Sequence, residues 1–122
     1  HAHPDVEIVG VADDDPARVA PVIAPFGIPP ERVYTSTARC LEETRPDIAV
    51  VCAATGKHGD TVVEIAPFGC HVLVEKPFAA NLADADRMTA AVAAAGRTLA
   101  INWPLAWYPP HVTTKRLIDA GE

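Results

Sequence analysis

No G-x-G-x-x-G occurs in these 122 residues; the seven glycines are scattered. In a dinucleotide-binding βαβ unit that fingerprint opens the helix whose N-terminus takes the pyrophosphate, so no such cradle is encoded here. Apolar runs are short, far below the ~20 residues that cross a bilayer as a helix, and no membrane partner is expected. Basic residues are outnumbered 10 to 16, a formal net charge of −6. Broad nucleic-acid binding needs a basic face, and no nucleic-acid partner is expected. Cysteine is scarce: Cys40, Cys52 and Cys70 are odd in number and form no C-x-x-C pair. That excludes zinc-ribbon and dithiol spacings, so no metal site is expected. It reads as reduced thiols in a cytoplasmic protein, with Cys52 a small core residue. His1-Ala2-His3-Pro4 has no basic n-region and no apolar h-region follows, so no signal peptide is read. An initiator methionine is also lacking, and both ends are expected to be truncations of a longer protein.

Apolar residues make up 49% of the chain, enough for one domain with a core. Strand and helix signals alternate along it. Val6–Asp13 is an apolar, β-branched run. Asp15-Pro16 then reads as a helix cap followed by proline at the first helical position, with Gly27 as the stop and Pro21 and Pro25 shortening or kinking the helix. Arg32-Val33-Tyr34 is a weak strand, and Ser36 or Thr37 caps a helix through Glu43. Asp47–Ala53 is the strongest strand. A helix over about 59–68 ends at Gly69, and His71–Val74 is the next strand. Asn81 with Asp84 three residues on makes a capping-box-like start to an alanine-rich helix over 82–95 that closes at Gly96. Thr98–Ile101 is the last strand and His111–Ala120 the last helix. Strands separated by helices imply right-handed crossovers, a parallel sheet and an α/β fold.

The segment Val72-Leu73-Val74-Glu75-Lys76-Pro77 carries most of the chemistry. A buried strand ends in an acid, a lysine and a proline, and ligands of open parallel sheets bind beyond the strands' carboxyl ends. A lysine there can be desolvated and tuned toward proton transfer, while the proline stops the strand. The alternative is a solvated strand end. Upstream, His58 follows the strand Ile48–Ala54 and could be a metal ligand, a base or a turn residue.

The stretch from His58 through Phe68-Gly69-Cys70-His71-Val72 to Glu75-Lys76-Pro77 resembles the glucose–fructose oxidoreductase/inositol dehydrogenase (Gfo/Idh/MocA) family. Val6–Asp13 resembles that family's second strand, and Lys115-Arg116-Leu117-Ile118-Asp119-Ala120-Gly121 the helix leading into its second domain. The resemblance implies a Rossmann-like parallel sheet flanked by helices, with residues 1–122 a partial NAD(P)-binding domain and 103–122 leading toward a missing second domain. By the same resemblance, strand one and the glycine loop lie upstream, so an isolated fragment should bind dinucleotide poorly and be inactive. The family's usual Thr-Pro-Asn turn reads Ala53-Ala54-Thr55 here.

The family frame also implies roles. Lys76 is the expected catalytic group, touching the reacting hydroxyl of a sugar or polyol. Glu75 orients the cofactor or the lysine. Asp13, Thr55, His58, Glu75, Lys76, Pro77 and Asn102 are expected to line the cofactor. Asp13 bonds the adenosine ribose in this frame, against an alternative as a helix cap for which Asp14 and Asp15 compete. The Asp13-Asp14-Asp15 run would repel a 2′-phosphate, so NAD is favoured over NADP. Trp103, Trp107 and Tyr108 either face the ligand or form core under the next domain. A small-molecule substrate and a homo-oligomeric parent complete the expectation. The rivals are a non-catalytic Rossmann-like binding or regulatory protein, and an interaction fragment without a ligand.

Overall fold

A computed structural model describes residues 3–122. His1 and Ala2, on which the reading of the N-terminus partly rests, lie outside the described residues. The elements in chain order are β1 (Val11–Ala12), α1 (Pro16–Ile23), β2 (Val33–Tyr34), α2 (Thr37–Thr44), β3 (Ile48–Val51), α3 (His58–Ile65), β4 (His71–Glu75), α4 (Leu82–Ala94), β5 (Leu99–Asn102) and α5 (Pro109–Ala120).

Local chemistry sets the boundaries. The side chains of Asp15, Ser36 and Asn81 accept from the backbone N–H of Ala17, Arg39 and Asp84, satisfying donors that a helix start leaves unpaired. The helix-to-strand turn after α3 ends at Gly69, whose φ of 71° is a left-handed conformation open to glycine at little cost. All strand pairing is parallel. Register joins Val50 to Leu73 and Leu73 to Ala100 in the order β3-β4-β5.

Side-chain alternation decides where the core lies. Val51, Val72 and Val74 turn to one face and are buried there with Val62 and Ile65 of α3 and Met88 and Val92 of α4. Ile48 and Val50 turn to the opposite face and are 58% and 59% exposed. That alternation corrects one expectation. Cys52 shares the phase of Ile48 and Val50 and is exposed, while Cys40 and Cys70 are the buried thiols.

The first strand is a second correction. Of Val6–Asp13 only Val11–Ala12 forms ladder, with β2, and this pair is separate from the three-stranded sheet. Residues 6–10 have no ladder partner among the described residues, so β propensity there goes unused and Ile8 lies on no strand. The segment is nonetheless held by close packing. A Cβ placed on Gly10 would stand 2.8 Å from Cys40 Sγ and 3.1 Å from a Thr44 methyl, so only glycine lets the chain lie this close to α2.

Candidate functional site at the carboxyl rim of the sheet

Parallel register places Glu75 beside Asn102 at the ends of β4 and β5. The Asn102 Nδ2 donates to Glu75 Oε1 at 2.5 Å, and the Lys76 backbone N–H donates to Glu75 Oε2 at 3.1 Å. Both carboxylate oxygens are therefore occupied, and Glu75 pins the strand end just where Lys76 leaves it. These hydrogen bonds also fix which side of the Asn102 amide is which: Nδ2 faces Glu75 and Oδ1 is left available. Lys76 itself is exposed, with no side-chain hydrogen bond or ion pair recorded among the described residues, and precedes a cis peptide bond to Pro77. Its exposure leaves the expected desolvation unmet in this chain.

His58 is not a turn residue at the surface. It opens α3 after a 3-10 turn over Thr55–Lys57 and is 1% exposed, the sole buried polar or charged residue among those described. Its Nε2 faces the carbonyl of Ala53 at 2.9 Å and its Nδ1 the carbonyl of Phe78 at 3.2 Å. The ring is enclosed between these two carbonyls rather than presented at the surface. Thr55, on the same turn, is half-buried.

The end of β1 carries the acidic run. The Asp13 N–H donates to the Tyr34 carbonyl at 3.0 Å, which extends the β1–β2 ladder by one bond and fixes the Asp13 backbone. Asp15 is the cap of α1; Asp13 Oδ1 accepts from the Asp15 N–H at 2.8 Å instead. Arg18, one turn into α1, reaches all three carboxylates, at 3.3 Å from Asp13, 2.5 Å from Asp14 and 3.3 Å from Asp15. Lys57 Nζ lies 3.3 Å from Asp14 Oδ2. The hydrogen bond and charge of Lys57, with the charge of Arg18, hold the Asp14 carboxyl below its usual range. The expected repulsion of a 2′-phosphate is thus smaller than three bare carboxylates would give: two cations face three anions.

The Lys57–Asp14 contact shows how the rim is assembled. It joins the loop after β1 to the loop after β3, so the carboxyl ends of the two sheets lie together. His58, through Ala53 and Phe78, joins the loop after β3 to the segment after Lys76. Asp13, Thr55, Glu75, Lys76, Pro77 and Asn102 consequently belong to one rim. Residues 103–108 leave it as an exposed aromatic stretch, with Trp103 at 50%, Trp107 at 78% and Tyr108 at 55%. Sequence alone puts Lys57 on the turn before His58 and Arg18 one helical turn beyond the acidic run, without pairing either with Asp14. The Asp14–Arg18 spacing of four in a helix start was a readable signal; nothing local announces the Lys57 bridge.

These residues offer groups suited to a ribose and to a reacting hydroxyl. Asp13 Oδ2 has no partner among the described residues and can accept from a ribose hydroxyl; the Glu75–Lys76–Asn102 group offers an amine and an amide carbonyl. The described residues include no glycine-rich turn at a helix start to receive a pyrophosphate.

Comparison with known proteins agrees. The family model of the Gfo/Idh/MocA oxidoreductases, described as an oxidoreductase family with an NAD-binding Rossmann fold, matches residues 1–103. The chain is 34% identical to a D-apiose dehydrogenase of Paraburkholderia graminis, over 99% of this chain and 32% of that protein. It is 28% identical to the scyllo-inositol 2-dehydrogenase (NAD(+)) of Bacillus subtilis, over 98% of this chain and 34% of that one. An oxidoreductase from Agrobacterium radiobacter, solved in complex with NAD+, L-tartaric acid and magnesium, superposes with a TM-score of 0.86 at 27% identity, covering 93% of this chain and 33% of that one. The chain spans about a third of the length of these relatives.

Proposed function

The chain belongs to the Gfo/Idh/MocA oxidoreductase family, and from that premise we propose that the protein carrying it transfers a hydride between NAD and the carbinol carbon of a sugar, polyol or related hydroxy compound. The observation that carries this reading is Lys76: an exposed amine without a partner among the described residues, directly after a strand whose last residue, Glu75, is bonded on both carboxylate oxygens. NAD, when bound, supplies the hydride acceptor or donor. Lys76 Nζ takes the hydroxyl proton on oxidation and returns it on reduction, and it stabilises negative charge developing on that oxygen. Glu75 and Asn102 hold the strand end so that the amine keeps its direction. Asp13 accepts from the adenosine ribose, and Thr55, Pro77 and Asn102 line the path between.

Preference for NAD over NADP follows from the net negative balance that remains among Asp13, Asp14, Asp15, Arg18 and Lys57. Residues 103–122 lead toward a further domain, a reading supported by the exposed Leu105, Trp107, Leu117 and Ile118. A cytoplasmic, homo-oligomeric enzyme is part of the same proposal.

Steady-state kinetics on the full-length protein test it. Lys76→Ala should lower kcat by about 10²–10³ while the Kd for NAD stays close to wild type, since one group at the reacting oxygen is worth about 3–4 kcal/mol in the transition state. Lys76→Arg should not restore turnover, because a guanidinium does not exchange its proton near neutral pH. Near-wild-type turnover in Lys76→Ala would move the protein to a non-catalytic, nucleotide-binding role.

A further inference from the structure

The three adjacent carboxylates at the end of β1 do different work. Asp15 accepts from the Ala17 N–H at 3.1 Å and caps α1. Asp13 Oδ1 accepts from the Asp15 N–H at 2.8 Å, which leaves Oδ2 for a ribose hydroxyl. Asp14 bonds no backbone N–H among the described residues. Both of its oxygens are taken by cations instead, Oδ1 by Arg18 Nη2 at 2.5 Å and Oδ2 by Lys57 Nζ at 3.3 Å. The two cations come from distant parts of the chain. Arg18 is one turn into α1. Lys57 ends the turn after β3, where its own N–H donates to the Ala54 carbonyl at 2.7 Å and fixes its backbone. Arg18 Nη2 is also 3.3 Å from Asp13 Oδ1. A guanidinium therefore stands beside the carboxylate with the free oxygen, and an ammonium from the facing loop shares the next acid.

We propose that Asp14 is the residue that sets the choice between NAD and NADP: it occupies Arg18 and Lys57, two cations that would otherwise receive a phosphate on the 2′-oxygen of the ribose held by Asp13. The inference rests on the contact between Asp13 and the adenosine ribose given under the proposed function. With Asp14 ionised, three anions face two cations, and a dianionic phosphate meets net repulsion. Without that charge two anions face two cations, and both cations are free to turn to the phosphate. A planar guanidinium fork suits phosphate oxygens, and an ammonium adds a point charge. Asp14, Arg18 and Lys57 are all exposed. Exposed pairs contribute little to folding, so the fold does not depend on either bridge and the site can be opened by substitution.

Calorimetric titration of the full-length protein with NAD and with NADP reads this as the ratio of the two dissociation constants. Asp14→Asn should shift that ratio toward NADP by about 10-fold, the effect of removing one negative charge near a solvated dianion. Adding Lys57→Gln to Asp14→Asn should take back about 3-fold, and adding Arg18→Gln a further factor of about 3, because each cation supplies part of the phosphate site. Asp15→Asn removes the same unit of charge while asparagine still caps α1. It leaves Asp14 on both cations, and the ratio should move by less than about 3-fold. Equal shifts in Asp14→Asn and Asp15→Asn would make the preference a matter of general charge and overturn the proposal. A gain in Asp14→Asn that survives loss of both cations would overturn it too. Asp13→Ala titrated alongside separates the two readings. NAD affinity near wild type there removes the ribose contact and this inference with it, whereas weakened NAD binding there with an unmoved ratio in Asp14→Asn removes this inference alone.

Discussion

Replacing Asn102 by aspartate tests the strand-end lock directly. In the native protein Asn102 Nδ2 donates to Glu75 Oε1 at 2.5 Å across the β4–β5 register. Asn102→Asp keeps the side-chain shape and turns the donor into a second carboxylate. Two such charges about 4 Å apart repel by about 4 kcal/mol at an effective dielectric of about 20. The folded protein can escape only by taking one proton into the pair. That route costs about 1.4 kcal/mol for each pH unit above the ordinary carboxyl range near 4, so about 4 kcal/mol at pH 7. Both residues are half-buried and solvent screens part of the repulsion; the expected loss is about 2–4 kcal/mol at pH 7. The sign is fixed by linkage. The folded variant binds a proton that the unfolded chain at pH 7 does not, so its stability rises as pH falls. At pH 5 the deficit should shrink to about 1 kcal/mol. Urea unfolding of wild type, Asn102→Asp and Asn102→Ala at pH 7 and pH 5 measures this. Asn102→Ala loses the donor without adding a charge and should show much less narrowing between the two pH values. An Asn102→Asp deficit equal at both pH values would refute the contact.

Three further outcomes are expected. Under native conditions a maleimide should modify Cys52 and spare the buried Cys40 and Cys70; partial burial and the Glu75 charge push the Cys52 thiol up, so Glu75→Gln should speed the labelling, and equal rates would remove Glu75 from its surroundings. The Asp14 and Asp84 carboxyls are held below their usual range, by Lys57 with Arg18 and by Arg87; the stability they contribute is present above the ordinary carboxyl range and is lost as pH falls through their lowered values, so Asp14→Asn should flatten acid unfolding below about pH 4, and an unchanged acid limb would count against the Lys57 bridge. Met88 is fully buried between the α3–α4 layer and the sheet; Met88→Ala should cost about 2–5 kcal/mol in chemical denaturation, and a loss below about 1 kcal/mol would mean that this core is loosely packed.

Much of the architecture is determined by sequence alone. Alternating strand and helix periodicity, the caps at Asp15, Ser36 and Asn81 and the glycine stops at Gly27, Gly69 and Gly96 are local properties, decided within one turn of the chain. Glu75-Lys76-Pro77 at a strand end is local in the same way. Tertiary structure decided what depends on partners distant in the chain. Val6–Ile8 has strand composition yet forms no strand, since a ladder is a property of two segments and not of one. Cys52 is exposed because helices α3 and α4 cover the other face of its strand, which no feature of the residue itself records. The pairing of Glu75 with Asn102 needed the β4–β5 register, and the bridge from Lys57 to Asp14 needed two loops to meet. His58 shows the division best. Its place at the start of a helix after a strand is legible in the chain, but its burial and its two carbonyl partners follow from how the loops after β3 and β4 close over one another, a matter of packing that no spacing encodes.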